Sequence, residues 1–208
     1  MDVKRFVTFE GGNGVGKSVQ IQKLYQRLKQ EWGPVCLTRE PGGTDFGENL
    51  RTLLMRTPDF SLKTLCSLFV AARQYHWKHV IAPALEQGFW VLCDRFIHST
   101  FVYQGLVGGL SYDFIKLLHE QLDAYVIPGL TFVLESVPTE SYARCQNREI
   151  TKKNHLDQHN FSTHCSVETA YKNFNLGNIV RIPPCSLKET EEKIWKSFQN
   201  YVLDRGGV

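Results

Sequence analysis

A glycine-rich segment near the start of the chain constrains its fold most strongly. Residues 11–18 read GGNGVGKS and lie between an apolar run at 5–10 and a helical pattern at 17–31. Glycine costs conformational entropy, so such a cluster needs a reason. A strand, a glycine-rich turn and a helix are the context of a phosphate-binding loop, whose backbone N–H groups and helix N-terminus surround phosphate oxygens. Lys17 is then expected to reach the outer phosphates and Ser18 to hold Mg²⁺, although the loop alone does not choose among NTPases and kinases.

Strand and helix patterns alternate along the whole chain. Short runs rich in β-forming residues predict five strands, at 5–10, 35–38, 89–94, 130–135 and 178–182. Helical spacing predicts helices at 17–31, 46–55, 62–85, 112–124, 138–148, 161–174 and 187–203. The sequence therefore predicts one α/β domain over residues 1–208, with a five-stranded parallel sheet covered by helices on both faces.

The composition excludes several classes of protein. The chain has 208 residues, of which 42% are apolar and 22% charged, as in ordinary soluble proteins. Its net charge of +3 is too small to argue for nucleic-acid binding, and its apolar stretches are shorter than a membrane span. Six cysteines are scattered without a C-x-x-C pair, and we expect no signal peptide. We therefore expect a reduced, cytoplasmic enzyme without nucleic-acid or membrane partners.

Charged side chains follow the second and third predicted strands. Arg39 and Arg51 could hold phosphate as bidentate forks, with a solvated surface charge as the alternative. Asp94 could organise Mg²⁺-bound water and Arg95 could hold a phosphate, with a buried structural ion pair as the alternative. The basic segment at 144–160 has no apolar period, so it is either a solvated loop or the lid of a phosphoryl-transfer enzyme. Its histidines fit no standard zinc module.

Phe69 and Arg73 stand four residues apart, so they share one face of the predicted helix at 62–85. An aromatic ring beside a guanidinium can stack on a base and donate a hydrogen bond to its edge. The alternative is that Phe69 belongs to the core. Tyr103 and Gln104 add polar groups near the end of the third strand.

Taken together, these segments resemble the thymidylate kinase family, most closely its bacterial members. The resemblance covers nearly the whole chain and rests on FEGGNGVGKS, TREPGG, LFVAARQ, DRF followed by STFVYQG, and the basic segment with the downstream Tyr171. It implies a P-loop nucleoside-monophosphate kinase fold with a lid at about 144–160. It also implies a homodimer, formed through helices near 50–55 and 65–81. The implied reaction is Mg²⁺-dependent transfer of the γ-phosphoryl group of ATP to dTMP, giving dTDP for dTTP synthesis.

The resemblance further implies roles for individual residues. Phe69 is expected to stack on thymine, Arg73 to bind its edge, and Tyr103 to favour deoxyribose. The residues with expected catalytic roles are Lys17, Arg95, Arg148 and Glu10. The expected ATP site comprises Gly11, Gly12, Asn13, Gly14, Val15, Gly16, Lys17, Ser18, Val19 and Arg144, with Ser18 and Asp94 at the metal. The expected dTMP site comprises Glu10, Arg39, Arg51, Phe69, Arg73, Arg95, Ser99, Tyr103 and Gln104.

The chain departs from the family pattern at three places. Ile97 and His98 stand where many relatives carry an aspartate, 157–160 reads DQHN where bacterial lids often read Asp-Arg-x-Glu, and Asn13 replaces an acid common in bacterial members. Two other functions stay open on the residues alone: a kinase for another nucleotide or a deoxynucleoside, and a non-catalytic P-loop switch. A GTPase switch is expected to carry Asn-Lys-x-Asp, which is absent from the sequence.

Overall fold

The computed structural model describes residues 2–56, 59–147 and 160–204. Within these residues a five-stranded parallel sheet forms the centre, with the strand order β2-β3-β1-β4-β5. The strands are β1 (Phe6–Glu10), β2 (Val35–Arg39), β3 (Trp90–Asp94), β4 (Leu130–Leu134) and β5 (Ile179–Ile182). Each of them was predicted from the sequence, with bounds that differ by one residue.

The helices follow the predicted alternation. They are α1 (Lys17–Glu31), α2 (Asp45–Arg56), α3 (Leu62–His76), α4 (Ala82–Glu86), α5 (Ile97–Thr100), α6 (Tyr112–Gln121), α7 (Pro138–Gln146), α8 (Phe161–Asn173) and α9 (Leu187–Leu203). A π-helical segment, Trp77–Ile81, joins α3 to α4, so the single long helix predicted at 62–85 forms a nearly continuous helical run. Among the described residues, side chains that accept an N–H bond in the first turn cap α2, α3, α6, α8 and α9; the caps are Thr44, Ser61, Ser111, Asn160 and Ser186.

Helices cover both faces of the sheet, as predicted. Val7, Leu92 and Phe132 pack on one face, together with side chains of α1 and α9. Phe6 and Val91 pack on the other face with side chains of α3 and α6. Neighbouring residues of a strand thus point to opposite faces of the sheet. Both faces are buried under helices, which explains why the strand sequences are continuous apolar runs. Among the described residues, no helix is long and apolar enough to cross a membrane.

The helical run after β3 was not predicted. α5 continues into a second π-helical segment, Phe101–Val107, whose aromatic and β-branched residues favour strands when considered alone. Val102 is fully buried against Val133 of β4 and Val167 of α8, so tertiary packing decides its conformation. This run carries several of the predicted site residues.

The register of the sheet brings the predicted site residues to one edge. Phe9 of β1 pairs with Asp94 of β3, and Arg39 of β2 also pairs with Asp94. The carboxyl ends of β1, β2 and β3 therefore meet at the edge where ligands collect in parallel sheets. The phosphate-loop segment leaves β1 at this same edge.

Candidate active site

The loop between β1 and α1 is held in shape by close backbone packing. Gly11 has φ = +131° and Gly14 has φ = +78°, both in the left-handed region that favours glycine. A Cβ added at Gly11 would collide with the carbonyl oxygen of Leu134, and one at Gly14 with that of Ser141. These two glycines are thus required by the folded loop, before any phosphate binds.

Lys17 lies inside this loop. Its ammonium donates to the carbonyl oxygens of Gly11 at 3.0 Å and Gly12 at 2.6 Å, and the residue is buried. Burial, reinforced by the neighbouring Arg95, lowers the pKa of Lys17 to about 7. An anion in the loop would favour the charged form, so Lys17 is poised to respond to a phosphate.

Ser18 and Asp94 form a pair at the edge of the sheet. Ser18 Oγ donates to Asp94 Oδ2 at 3.1 Å. Asp94 Oδ1 is buried without a hydrogen-bond partner among the described residues. One hydroxyl and one carboxylate suit Mg²⁺, which prefers oxygen ligands and usually completes its shell with phosphates and waters. The described part of the chain contains no cluster of three or more His, Cys, Asp or Glu side chains that could hold a metal alone.

Arg95 occupies the centre of the site. Its backbone has φ = +70°, a left-handed conformation that is uncommon for non-glycine residues and is enriched at functional sites. Burial alone would lower its pKa, but Tyr103, Tyr171, Glu10 and Asp94 outweigh it and raise the pKa, so the side chain stays charged. Its Nη groups donate to the Gly11 carbonyl, Asn13 Oδ1, Ser99 Oγ and the hydroxyls of Tyr103 and Tyr171.

Glu10 is the buried anchor of this cluster. Its Oε2 accepts from Ser99 Oγ at 2.7 Å and from the Tyr171 hydroxyl at 2.8 Å, while Oε1 accepts from the amides of Phe96 and Ser99 at 2.8 and 3.3 Å. Because Ser99 and Tyr171 also accept from Arg95, the carboxylate orients that guanidinium through them. Glu10 was predicted at the site, and its contacts are those of a positioning group.

Arg73 lies in a buried network beside the Arg95 cluster. Its Nε donates to Glu40 at 2.7 Å, and its Nη groups donate to Thr100, His119 and the Phe96 carbonyl. Phe69, one helical turn earlier on α3, is half-buried and packs against the apolar contacts between α2 and α3. The two residues share a face of α3 as the spacing predicted.

Among the remaining predicted residues, Arg39 and Arg51 form hydrogen bonds with groups outside the cluster of Arg95 and Glu10. Arg39 is exposed and its Nη2 donates to both carboxylate oxygens of Glu48, at 3.1 and 2.9 Å, while Arg51 Nη1 donates to the Pro41 carbonyl at 3.3 Å. Gln104 is 9% exposed and Val19 is 47% exposed. Arg39 thus has a carboxylate partner in this structure, so a phosphate there would compete with Glu48.

α7 reaches back to the phosphate-loop segment. The Arg144 Nε donates to the carbonyl oxygen of Gly14 at 2.8 Å, which places this predicted ATP-site residue on the loop. Arg148, Lys152 and Lys153, the other basic residues predicted in the lid, lie outside the described residues.

Comparison with known proteins decides the family. A model of the family described as "Thymidylate kinase" matches residues 9–194. The chain is 34% identical to the thymidylate kinase of Symbiobacterium thermophilum, over 95% of the chain and 92% of that protein. It is 37% identical to that of Afipia carboxidovorans, over 94% and 89%. The crystal structure of thymidylate kinase from Ehrlichia chaffeensis superposes with a TM-score of 0.73 at 31% identity, covering 93% of this chain and 97% of that one.

The chain belongs to the thymidylate kinase family. Its sheet and surrounding helices have the P-loop nucleoside-monophosphate kinase fold that the sequence predicted.

Several residues around this thymidylate kinase site were missed from the sequence. Glu40 and His119 hold Arg73, and Glu168 packs against Gly12, where an added Cβ would collide with its carboxylate. Burial raises the pKa of Glu168, against the opposing effects of Lys17 and Ser136. Only the family resemblance pointed to Tyr171, and it gave this residue no role. Glu40 lies within the TREPGG motif but was given no role, whereas no local motif marks His119 or Glu168.

Proposed function

We propose that the protein transfers the γ-phosphoryl group of ATP to dTMP, giving ADP and dTDP, with Mg²⁺ as cofactor. The observation that carries this proposal is the meeting of Lys17 and Arg95 at one edge of the sheet, linked through the carbonyl of Gly11. Lys17 is a buried cation in the phosphate loop, and Arg95 lies beside it as a second cation. Two anionic groups that must approach in line need such a pair.

The proposed chemistry does not need a general base. The acceptor is a phosphate monoester whose second pKa is about 6, so at neutral pH it is mostly the dianion. Glu10, whose oxygens already accept four hydrogen bonds from Ser99, Tyr171 and the Phe96 amide, is proposed to hold Arg95 in position. Catalysis then consists of positioning and charge neutralisation.

Mg²⁺ fits the residues at the loop. Ser18 Oγ and Asp94 would hold it, directly or through water, and the partnerless Asp94 Oδ1 supports this assignment. When bound, the ion supplies positive charge to the donor phosphates. The loop amides and Lys17 would hold those phosphates, and Arg144 would border the ATP site through its contact with Gly14.

We assign the acceptor to the side of the cluster formed by α3 and the run after β3. Phe69 would stack on the base and Arg73 would donate to its edge. Arg95 would bind the acceptor phosphate, with Arg39 and Arg51 near the same edge. Ser99, Tyr103 and Gln104 would line the space around the sugar and base.

Arg148 is proposed as the arginine that stabilises the transferring phosphoryl group, because in the sequence it lies at the boundary between the helix predicted at 138–148 and the lid. Arg148→Ala should lower kcat strongly and change dTMP affinity little, because the contact would form mainly in the transition state. Full kcat in both Arg148→Ala and Arg144→Ala would contradict the assignment and move the search to Arg95.

A cytoplasmic homodimer is part of the same proposal and rests mainly on the family resemblance. Phe46 of α2 and Tyr75 of α3 are 43% and 41% exposed, and their ring centroids are 5.6 Å apart. Leu53 of α2 is 46% exposed as well. These apolar side chains support an interface on α2 and α3.

Chromatographic product analysis tests the proposed reaction. Protein, ATP, Mg²⁺ and dTMP should give ADP and dTDP in equal amounts. A nucleotide-hydrolysing switch would instead give ADP and inorganic phosphate while dTMP stays unchanged.

A further inference from the structure

Arg73 uses nearly all of its donors on protein groups. A guanidinium has five N–H donors. Nε donates to Glu40 Oε2 at 2.7 Å, Nη1 to Thr100 Oγ1 at 2.9 Å and to His119 Nε2 at 2.8 Å, and Nη2 to the Phe96 carbonyl at 3.1 Å. Among the described residues, these contacts occupy four of the five donors and leave a single Nη2 hydrogen.

The protonation of His119 follows from this contact. Arginine cannot accept a hydrogen bond, so Nε2 of His119 must be the acceptor. The proton of the neutral ring then lies on Nδ1, which donates to the Ile115 carbonyl at 2.7 Å. Burial, followed by the charge of Arg73, lowers the pKa of His119 to about 3, in agreement with a neutral ring.

His119 is itself held rigidly. The residue is fully buried on α6, and its ring stacks on Phe101 with an interplanar angle of 13° and a centroid distance of 5.8 Å. The Nδ1 bond to Ile115 fixes the ring along its own helix. A rigid acceptor can fix the rotation of the guanidinium that donates to it.

We propose that His119 is a positioning residue for base recognition: its Nε2 fixes the Arg73 guanidinium so that one N–H donor remains for the base. This inference rests on the proposed function. Thymine carries a carbonyl at the position where cytosine carries an amino group. A single N–H donor of Arg73 can donate to that carbonyl oxygen, but it cannot form a hydrogen bond with the amino group of cytosine, which is itself a donor. Loss of the acceptor at position 119 would release a second N–H and let the guanidinium rotate.

Steady-state kinetics with dTMP and dCMP test this role. His119→Phe keeps a ring to stack on Phe101 but removes the acceptor, whereas His119→Gln keeps an acceptor at a similar reach. For His119→Phe we expect KM for dTMP to rise about tenfold or more, KM for ATP to stay within about twofold, and the preference for dTMP over dCMP to fall. His119→Gln should recover most of the wild-type KM for dTMP.

A matched control separates positioning from general destabilisation. Phe198→Leu removes core volume where α9 packs against α1 and the sheet, on the face opposite to α6, and should lower Tm without changing either KM. An unchanged KM for dTMP in His119→Phe, or equal KM changes for ATP and dTMP in both variants, would overturn the proposal. If His119→Phe does not fold, wild-type KM and base preference in His119→Gln support the role, and a large loss of the dTMP preference there contradicts it.

The histidine tautomer gives a test that is independent of the reaction. Nitrogen–proton correlation spectra of the wild-type protein at pH 7 should show His119 protonated on Nδ1 alone. A proton on Nε2 would contradict the inference even if dTMP is the substrate. If dTMP is not phosphorylated, the proposed function fails, whereas the tautomer and the KM split for the accepted nucleotide still test His119.

Discussion

At the scale of single residues, Lys17 and Arg95 show how burial and charge define the site. Lys17 is buried and Arg95 is half-buried, both donate to the carbonyl of Gly11, and Arg95 contributes to the lowered pKa of Lys17. Such a pair is unfavourable in a folded protein without anions, because each charge is desolvated and close to a like charge. Phosphate binding would relieve this, so we expect anionic ligands to bind beside both residues.

The first prediction concerns Lys17. In Lys17→Ala we expect kcat to fall roughly 100-fold or more, as loss of one fixed transition-state donor does. The fold should remain, because the replacement removes an unfavourably buried charge. Initial-rate assays measure kcat. The control is Lys29→Ala, which replaces an exposed lysine on the same helix. A kcat close to that of the wild type in a folded Lys17→Ala protein would contradict the assignment of residues 11–18 as a phosphate loop.

At the scale of elements, the buried Arg73–Glu40 pair joins α3 to the segment that follows β2. Glu40 Oε2 accepts from Arg73 at 2.7 Å and its Oε1 contacts His76 Nδ1 at 3.0 Å. The side chains of Arg73 and Glu40 are 3% and 7% exposed. Arg73 therefore has a structural role in addition to the proposed contact with the base, which its spacing from Phe69 did not indicate.

The second prediction follows from this pair. Arg73→Ala should lower the free energy of unfolding by about 3–5 kcal/mol, because Glu40 is left as a buried charge with an incomplete set of partners. Adding Glu40→Gln should restore part of that loss. Urea unfolding measures both variants, and Lys116→Ala, from an exposed pair with Glu120, should cost less than about 1 kcal/mol. An Arg73→Ala cost as small as that of Lys116→Ala would show that the pair does not stabilise the fold.

The elements that the sequence predicted are those with strong local signals. α1 and α9 have the predicted bounds because apolar spacing agrees with their packing, and β3 is a continuous apolar run that ends at Asp94. The π-helical Phe101–Val107 was missed because its packing against α8 overrides the local preference for strand. Lys17, in the glycine-rich motif, and Asp94, at the end of an apolar run, carry local signals, whereas His119 and Glu168 come to the site only through the tertiary fold.

At the scale of the whole molecule, two packed helical layers enclose the sheet and leave polar groups at its carboxyl edge. Some of these groups are buried deeply enough to link folding to pH. His119 is the sharpest case, since its pKa is lowered from 6.5 to about 3 by burial and by Arg73. Between about pH 6.5 and 3, His119 is therefore protonated in the unfolded chain but neutral in the folded protein.

The third prediction is the pH dependence of stability. The contribution of His119 is fully present above about pH 6.5 and is lost as the pH falls toward 3, because the unfolded state gains the proton first. Between pH 7.5 and 5 this linkage alone should lower the free energy of unfolding by about 2 kcal/mol. Urea unfolding at several pH values should show a flatter dependence for His119→Gln, whereas the exposed His79→Gln should keep the wild-type slope. Identical slopes for wild type and His119→Gln would contradict the linkage.

The acceptor preference tests the central claim most directly. A coupled assay with ATP and Mg²⁺ should compare dTMP with dCMP, AMP and GMP under the same conditions. A base site formed by Phe69 and a single donor of Arg73 predicts a kcat/KM for dTMP at least about 100-fold above the others. A higher kcat/KM for AMP, GMP or dCMP than for dTMP would contradict the account.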